Sequence, residues 1–538
     1  MAEFLIALPE RVSGFIKNIA KTGLLYKISA WLGNLFFPKH TIIESSENTA
    51  SITIHSLSMK PLFAVAKLKG KFPFARNSSI IKCFSSFYRI LTERSIKSEK
   101  DTAIVFVIFA LLGALGTVIY FALGAVYAAI AVDGLFGFGL VMYMPVAGVF
   151  AAAFLIPIVP TKVILALSIL TIVSYGIHFL HDSADFTPDL MDLFSLLFAV
   201  LLAFSCFISF RPSGSFPMAA VYILFIIFAI VSKNLLNTKK KFFAVLSLLI
   251  SSSLFVSLYG IYQRFTGNLE NREMWLDADM FTNVGARVYS TLENPNVLGE
   301  YLIISISISA AALYFLKKPV SKIAALIVAV IGGVCMILTL SRGAWLGLMI
   351  AALVFAVLAE RKLIWLFLLA AIISPLVMPD SILDRFLSIG NVADSSTSYR
   401  VNIWRASLEI LKVFWPIGIG QGEESFVTIY SLFSLNAITA PHSHNLYLQI
   451  IIDLGICGFL LFVCCMLIYF KNLLSLVKKA DKQLKFAAAG LAAGMVGYLA
   501  QGATDNVWYN YRVVCLFWFL LAASCAAYRL GRGVNIES

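Results

Sequence analysis

Residues 323–359 read IAALIVAVIGGVCMILTLSRGAWLGLMIAALVFAVLA. Two apolar stretches, each close to the roughly 20 residues a helix needs to cross a bilayer, meet at Ser341-Arg342-Gly343. A soluble domain has no use for such a pair. Composition extends this reading to the whole chain, whose 538 residues are 60% hydrophobic and 13% charged, with a mean hydropathy of +0.88. Soluble domains are about half apolar and about a quarter charged. The expected fold class is all-α, a polytopic transmembrane helical bundle.

Working outward from 323–359, further spans fall at 135–156, 162–179, 191–209, 216–236, 243–263, 297–316, 321–340, 344–359, 362–378, 446–470, 486–504 and 511–528. The apolar run 103–133 is long for one span and is read as a tilted helix or a tight hairpin. Short cytoplasmic loops collect Lys and Arg. Lys233 with Lys239, Lys240 and Lys241; Lys317, Lys318 and Lys322; Arg361 and Lys362; Lys471 through Lys485; and Arg529 with Arg532 all mark inner loops. These assignments alternate correctly across every span from 216 onward, a check that a miscounted span would break. The loops 210–215, 264–296, 341–343, 379–445 and 505–510 then face outward. An inner N-terminus requires 103–133 to cross twice, giving about 14 spans, the upper end of an expected 12–14. The long outer loop 379–445 should hold short helices, one of them at 396–414 with Val401, Trp404, Leu408 and Leu411 at helical spacing, ended by Pro416, Gly418, Gly420 and Gly422.

Three regions follow: a basic amphipathic cytoplasmic segment, 1–100; N-terminal transmembrane helices, 101–264; and a catalytic membrane region, 265–530, that includes the outer loop. The first holds 15 Lys/Arg against 6 Asp/Glu. With amphipathic pieces such as 23–38, it suits an anionic leaflet. Seven of the eight cysteines (Cys206, Cys335, Cys457, Cys464, Cys465, Cys515 and Cys525) lie in apolar runs and read as buried thiols rather than a disulfide framework.

Three polar clusters sit at the outer ends of these spans: 287–296 (RVYSTLENPN), 341–343 (SRG) and 441–445 (PHSHN). An arginine ending a span is commonly a snorkelling anchor. Arg342 argues against that, because positive charge is biased inward and its turn has no length to carry it away. Arg287 precedes Asn294-Pro295-Asn296, a turn closing onto a helix start, where Asn and Pro suit the cap and the first turn. Ser443 is a candidate N-cap, which would set His444 in a first helical turn whose backbone N–H groups disfavour imidazolium and leave the ring able to accept a proton. Arg400 and Trp404 sit on the loop helix, where a guanidinium and an aromatic face suit a phosphate or a sugar. Asp277-x-Asp279 has the spacing of a metal-holding carboxylate pair, but no further acidic ligand accompanies it and it reads as a structural loop.

In order, Gly-x-Tyr-Gln (260–263), Arg287 with Asn-Pro-Asn-x-x-Gly (294–299), Ser-Arg-Gly (341–343), Arg400-x-x-x-Trp404, Gly-x-Gly (418–420) and His444-Asn445 resemble the O-antigen ligase/polymerase family over about 190–530. The resemblance implies a GT-C-like, metal-independent, inverting enzyme without cofactors. It implies transfer of a glycan from an undecaprenyl-pyrophosphate carrier to a glycan or lipid acceptor, at the outer face of a bacterial inner membrane. Its partners are then that donor, the acceptor and membrane lipid, with no nucleic acid. It assigns catalysis to His444, Arg287 and Arg342, with no metal ligands; Arg400, Asn294, Asn296 and Trp404 are the expected substrate-binding residues by their place beside these.

The residues independently suit this chemistry. Guanidinium forks hold phosphate oxygens and stabilise the charge growing on a pyrophosphate leaving group, while a histidine removes the acceptor's proton. A transporter of lipid-linked glycans is the competing class. It calls for polar groups near mid-bilayer on interrupted helices, a pattern the spans are not expected to show. A non-catalytic scaffold is the third.

Overall fold

The computed structural model describes residues 41–46, 49–54, 125–180, 184–267, 287–365, 395–434 and 438–532, with isolated positions between 369 and 387. The amphipathic stretch 23–38, most of 103–133, the Asp277-x-Asp279 pair and most of the span 362–378 lie outside the described residues.

Among the described residues, an antiparallel hairpin, β1 (Thr41–Ser46) with β2 (Thr49–Ile54), comes first. Every later element is helical: α1 (Ala125–Tyr143), α2 (Pro145–Leu155), α3 (Thr161–Leu180), α4 (Leu190–Phe207), α5 (Pro212–Leu235), α6 (Lys239–Thr266), α7 (Pro295–Phe315), α8 (Pro319–Leu338), α9 (Arg342–Leu358), α10 (Ser395–Phe414), α11 (Glu423–Phe433), α12 (Leu446–Lys479), α13 (Lys482–Gly502) and α14 (Tyr511–Gly531). Eight of them, α3 to α8 with α12 and α14, are long and apolar enough to cross a membrane. The chain is a multi-pass membrane protein. Within their apolar windows α14 is 89% buried and α7 78%, against 28% for α3 and α8, so α7 and α14 form the centre and α3 and α8 the periphery.

Proline placement corrects one span. The stretch 135–156 is not a single helix: Met144 is extended (φ −130°, ψ 93°) and Pro145 starts α2 anew. Proline lacks the N–H a continuing helix would use and pushes its predecessor out of helical space.

Lys239 pairs with Asp481 at 2.6 Å, and Gln483 Nε2 donates to the Phe315 carbonyl at 2.8 Å, so these lysine-rich helix ends share one face of the bundle. Lys233 does not belong to a loop, as its charge suggested. It closes α5 with 1% exposure, donates to the Thr187 carbonyl and pairs with Asp192 and, at 3.0 Å, with Asp189. Asp189 and Asp192 form the capping box that starts α4. Arg529 reaches the Lys233 carbonyl from α14. A buried lysine is tolerable because two carboxylates accompany it.

At the opposite face, small residues bring helices into contact. A Cβ on Gly347 of α9 would lie 2.6 Å from the Gly497 carbonyl oxygen of α13. Such a glycine pair lets two backbones touch, and it draws the start of α9, where Arg342 sits, against the end of α13.

The long helix α12 is interrupted. Gly455 (φ 68°, ψ −173°) breaks it near its N-terminal end, contrary to the expectation of unbroken spans. The freed carbonyls are not orphaned: Ile419 N–H donates to Ile452 O at 2.7 Å and Gly420 N–H to Asp453 O at 3.2 Å. The loop after α10 therefore docks on the break, and Gly418 (φ +86°) is required because a Cβ there would sit 2.6 Å from the Asp453 carbonyl oxygen. α10 itself appears where expected, but with a different inner face. Ile403, Ala406 and Ile410 are buried, while Leu408 is 51% exposed. Apolar letters line its outer side as well, so spacing alone could not say which side packs.

Candidate active site

The turn before α7 is built from caps. Asn294 is the N-cap, its side chain accepting from Asn296 N–H at 2.8 Å, and Pro295 occupies the first turn. Arg512, 3% exposed, holds this turn from α14 by donating to the Thr291 carbonyl at 2.8 Å. Just upstream, Val288 N–H donates to the Leu338 carbonyl at 3.1 Å and Arg287 Nε to that of Thr339 at 2.8 Å. Both are carbonyls a helix C-terminus leaves unpaired. The Arg287 guanidinium is thereby fixed at the negative end of α8.

Asn296 joins the site's two halves. Its Oδ1 accepts from Arg287 Nη2 at 2.7 Å and from Ser341 Oγ at 2.9 Å, and its Nδ2 donates to Asp505 Oδ2 at 2.8 Å. Leu340, immediately before Ser341, holds φ at +51°. Side chains rarely adopt that conformation, and it is characteristic of functional sites. Arg342 opens α9. Across from it on α10, Arg400 donates from Nη1 to Ser396 Oγ at 3.0 Å, and its Nη2 lies 4.0 Å from Asp505 Oδ2. Among the described residues, Arg400 Nε is buried without a hydrogen-bond partner. Arg287, Arg342 and Arg400, with Trp404, Asn296 and Asp505, line one cavity of about 320 Å³.

His444 stands beside this cavity, bonded to Asp505 of its lining. It is not in the first turn of α12, because the N-cap is Asn445, whose side chain accepts from Tyr447 and Leu448 N–H. His444 lies just outside at φ +47°, and Asn445 rather than Ser443 satisfies the helix start. The ring's surroundings are therefore set by side chains, not by helix N–H groups. Its Nδ1 is 2.9 Å from Asp505 Oδ1. Its carbonyl accepts from Trp404 Nε1 at 3.2 Å, and Tyr399 meets the ring edge-on at 5.8 Å. Burial alone would raise the Asp505 carboxyl, but the hydrogen bond and charge of His444, with the charge of Arg400, hold it well below the usual carboxylate range. An ionised Asp505 fixes the tautomer with Nδ1–H toward itself and leaves Nε2 to accept a proton.

His442 is the neighbour. Its Nδ1 accepts His444 N–H at 3.2 Å, and its ring stacks on Tyr509 at 5.3 Å. Burial, then the charge of His444, push it down to about 3. Ligand atoms of His442, His444 and Asp505 lie within 4.8 Å of one another, so these three are the residues a divalent ion would use. The hydrogen bonds already engage both Nδ1 atoms.

The structure thus brings Arg287, Asn296, Arg342, Arg400 and Trp404 to one cavity with His444 beside it, while Asn294 serves the helix cap outside the lining. Asp505 was missed. It is the sole charged residue between Lys485 and Arg512, and a lone carboxylate at the same end of the bundle as a lone arginine was the signal to read.

Residues 327–463 match the family described as O-Antigen ligase. The match runs from α8 into α12 and takes in Arg342, Arg400, Trp404 and His444, whereas Arg287, Asn296 and Asp505 lie beyond it. No curated protein matches the chain. The chain carries an O-antigen ligase domain in its C-terminal half.

Proposed function

We propose that this protein transfers a glycan from an undecaprenyl-pyrophosphate carrier to an acceptor hydroxyl. An O-antigen ligase domain implies lipid-linked glycan transfer of the ligase or polymerase type. The finer reading is carried by one observation: Arg287, Arg342 and Arg400 line a single cavity, and the His444–Asp505 pair stands at its edge.

The donor's pyrophosphate takes the arginines. As the anomeric C–O bond breaks, negative charge grows on the leaving oxygen, and preplaced guanidiniums stabilise it without reorganising. His444 Nε2 takes the proton of the attacking hydroxyl, Asp505 stabilises the resulting imidazolium, and the new glycosidic bond forms as undecaprenyl pyrophosphate leaves. Attack opposite the leaving group inverts the anomeric carbon. Trp404 offers the sugar an apolar face, Asn296 holds arginine and carboxylate in register, and Asn294 shapes the turn that carries them. Charge neutralisation by three arginines makes a metal unnecessary. The site end of the bundle lies opposite the lysine-rich ends, which the bias of positive charge places inside, so the chemistry faces outward from the plasma membrane. Residues 265–530 form the catalytic region, 101–264 its helical support, and 1–100 a basic segment held at the inner leaflet.

The test is reconstitution of the purified chain in proteoliposomes with carrier-linked glycan, in EDTA. Formation of glycosylated acceptor with release of undecaprenyl pyrophosphate is expected. Movement of intact carrier-linked glycan across the bilayer, with no new glycosidic bond, would establish the transporter reading instead.

A further inference from the structure

A second cavity, about 1020 Å³, opens at the same end of the bundle and, among the described residues, shares no lining residue with the arginine cavity. It is walled by the start of α5, the start of α11, the outer half of α12 and the 506–511 loop. His442 lines it, and its ring centre is 4.2 Å from that of His444, which in turn bonds Asp505 of the first cavity. Asp505 and Asn506 are consecutive yet line opposite chambers. The histidine pair and this dipeptide form the partition.

The two chambers differ in charge. Arg287, Arg342 and Arg400 face Asp505 in the first. In the second the carboxyl groups Glu423 and Glu424 outnumber Arg211, with the carboxyl of Asp453 deeper in the wall. A polyanion is drawn to the first and repelled from the second. The second also has flat phenol rings, Tyr509 and Tyr511, beside the amide of Asn506 and the carboxyl groups. Hydroxyl-bearing ligands with apolar C–H faces fit that mixture, because carboxylates and amides accept or donate to hydroxyls while aromatic faces cover the ring.

We infer that this chamber is the acceptor site, and that it takes a glycan end free of phosphate and uronate. The inference rests on the transferase reading. The acceptor hydroxyl reaches His444 from the His442 side, opposite the arginine cavity that holds the leaving pyrophosphate, so attack and departure lie on opposite sides of the anomeric carbon. The hydroxyl proton passes to His444 Nε2, the acceptor oxygen bonds the anomeric carbon, and the carrier pyrophosphate departs with the electron pair of the broken bond.

Val427 is 43% exposed and lines the second chamber alone of these two. V427W should fill space there without touching the arginines, and Glu423→Gln removes one acceptor charge at little steric cost. Proteoliposomes would be given carrier-linked glycan as donor. The acceptor probe is the oligosaccharide freed from that glycan by mild acid and treated with phosphatase. V427W should raise the acceptor KM by at least about tenfold and Glu423→Gln by about threefold, with the donor KM unchanged. Acceptor KM values like wild type in Glu423→Gln, whether or not V427W folds, would overturn the assignment, as would donor and acceptor KM values rising together. Absence of transfer by the wild-type protein itself would instead overturn the transferase reading.

Discussion

Asp505 Oδ1 lies 2.9 Å from His444 Nδ1, and the two residues come from loops 61 positions apart. Each is tied to a helix end: His444 precedes the Asn445 cap of α12, and Asp505 follows α13 while its own carbonyl accepts Leu446 N–H at 3.1 Å. The pair is therefore held by backbone as well as by charge. Asp505→Asn should lower the transfer rate by about 10²-fold or more, because an amide can present its N–H to Nδ1 and stabilise the wrong tautomer. Donor KM should be unaffected. A rate within a few-fold of wild type would show that Asp505 does not orient the base.

Arg342→Lys should cut the rate by about 10²–10³-fold, in line with loss of one preplaced donor to developing charge. An ammonium carries the charge but not the planar fork. Binding of undecaprenyl pyrophosphate to the purified variant, measured by calorimetry, should weaken in parallel. Normal binding and rate would make Arg342 a membrane anchor.

His442 gives a pH dependence whose sign is fixed. Its pKa falls to about 3 in the fold, from near 6.5 in an unfolded chain. Below about pH 6.5 the unfolded chain binds a proton that the folded one refuses, so stability falls as pH drops from 6.5 toward 3. The carboxyl of Asp505 is lowered as well, so its contribution is present above about pH 4, its unfolded value, and is lost only in stronger acid. Between pH 6.5 and 4.5, His442→Gln should therefore lose less of its thermal midpoint than wild type. An equal or steeper loss in the variant would contradict the burial of His442.

The break in α12 predicts that Gly455→Ala destabilises the protein by about 1–3 kcal/mol, since a side chain must adopt φ near 68°. It must also avoid the Pro416 carbonyl oxygen 2.5 Å away. Thermal unfolding in detergent measures this directly. Unchanged stability would mean that the docked loop and the break are not coupled.

Lys233→Met should cost about 3–5 kcal/mol by leaving Asp192 buried and unpaired. Adding Asp192→Leu should recover most of it. Failure of the double variant to recover would show that Lys233 does more than balance that carboxylate.

The bundle was legible in the sequence because apolar runs and loop lysines report length and side independently. Both cues failed where a residue served two ends at once. Lys233 carries a loop's charge but is buried against a capping box, and Pro145 divides an apolar run that hydropathy reads as continuous. In the site, Arg342 stood out as a charge with no loop to carry it, while Arg287, Arg400 and His444 stood out by their place in an ordered set of motifs. Asp505 did not, since its meaning lies in a partner 61 positions away, and no local pattern encodes that pairing. The face of α10 was equally unreadable. A helix with apolar residues on both sides does not reveal from its spacing alone that Ile403 packs inward while Leu408 stays out.

In the proposed reaction His444 removes the acceptor's proton beside arginines that hold the pyrophosphate. The decisive measurement is His444→Ala in proteoliposomes, following both glycan transfer and undecaprenyl pyrophosphate binding. A rate lower by at least about 10²-fold with binding intact is expected. Near-normal transfer by a correctly folded His444→Ala protein would contradict it.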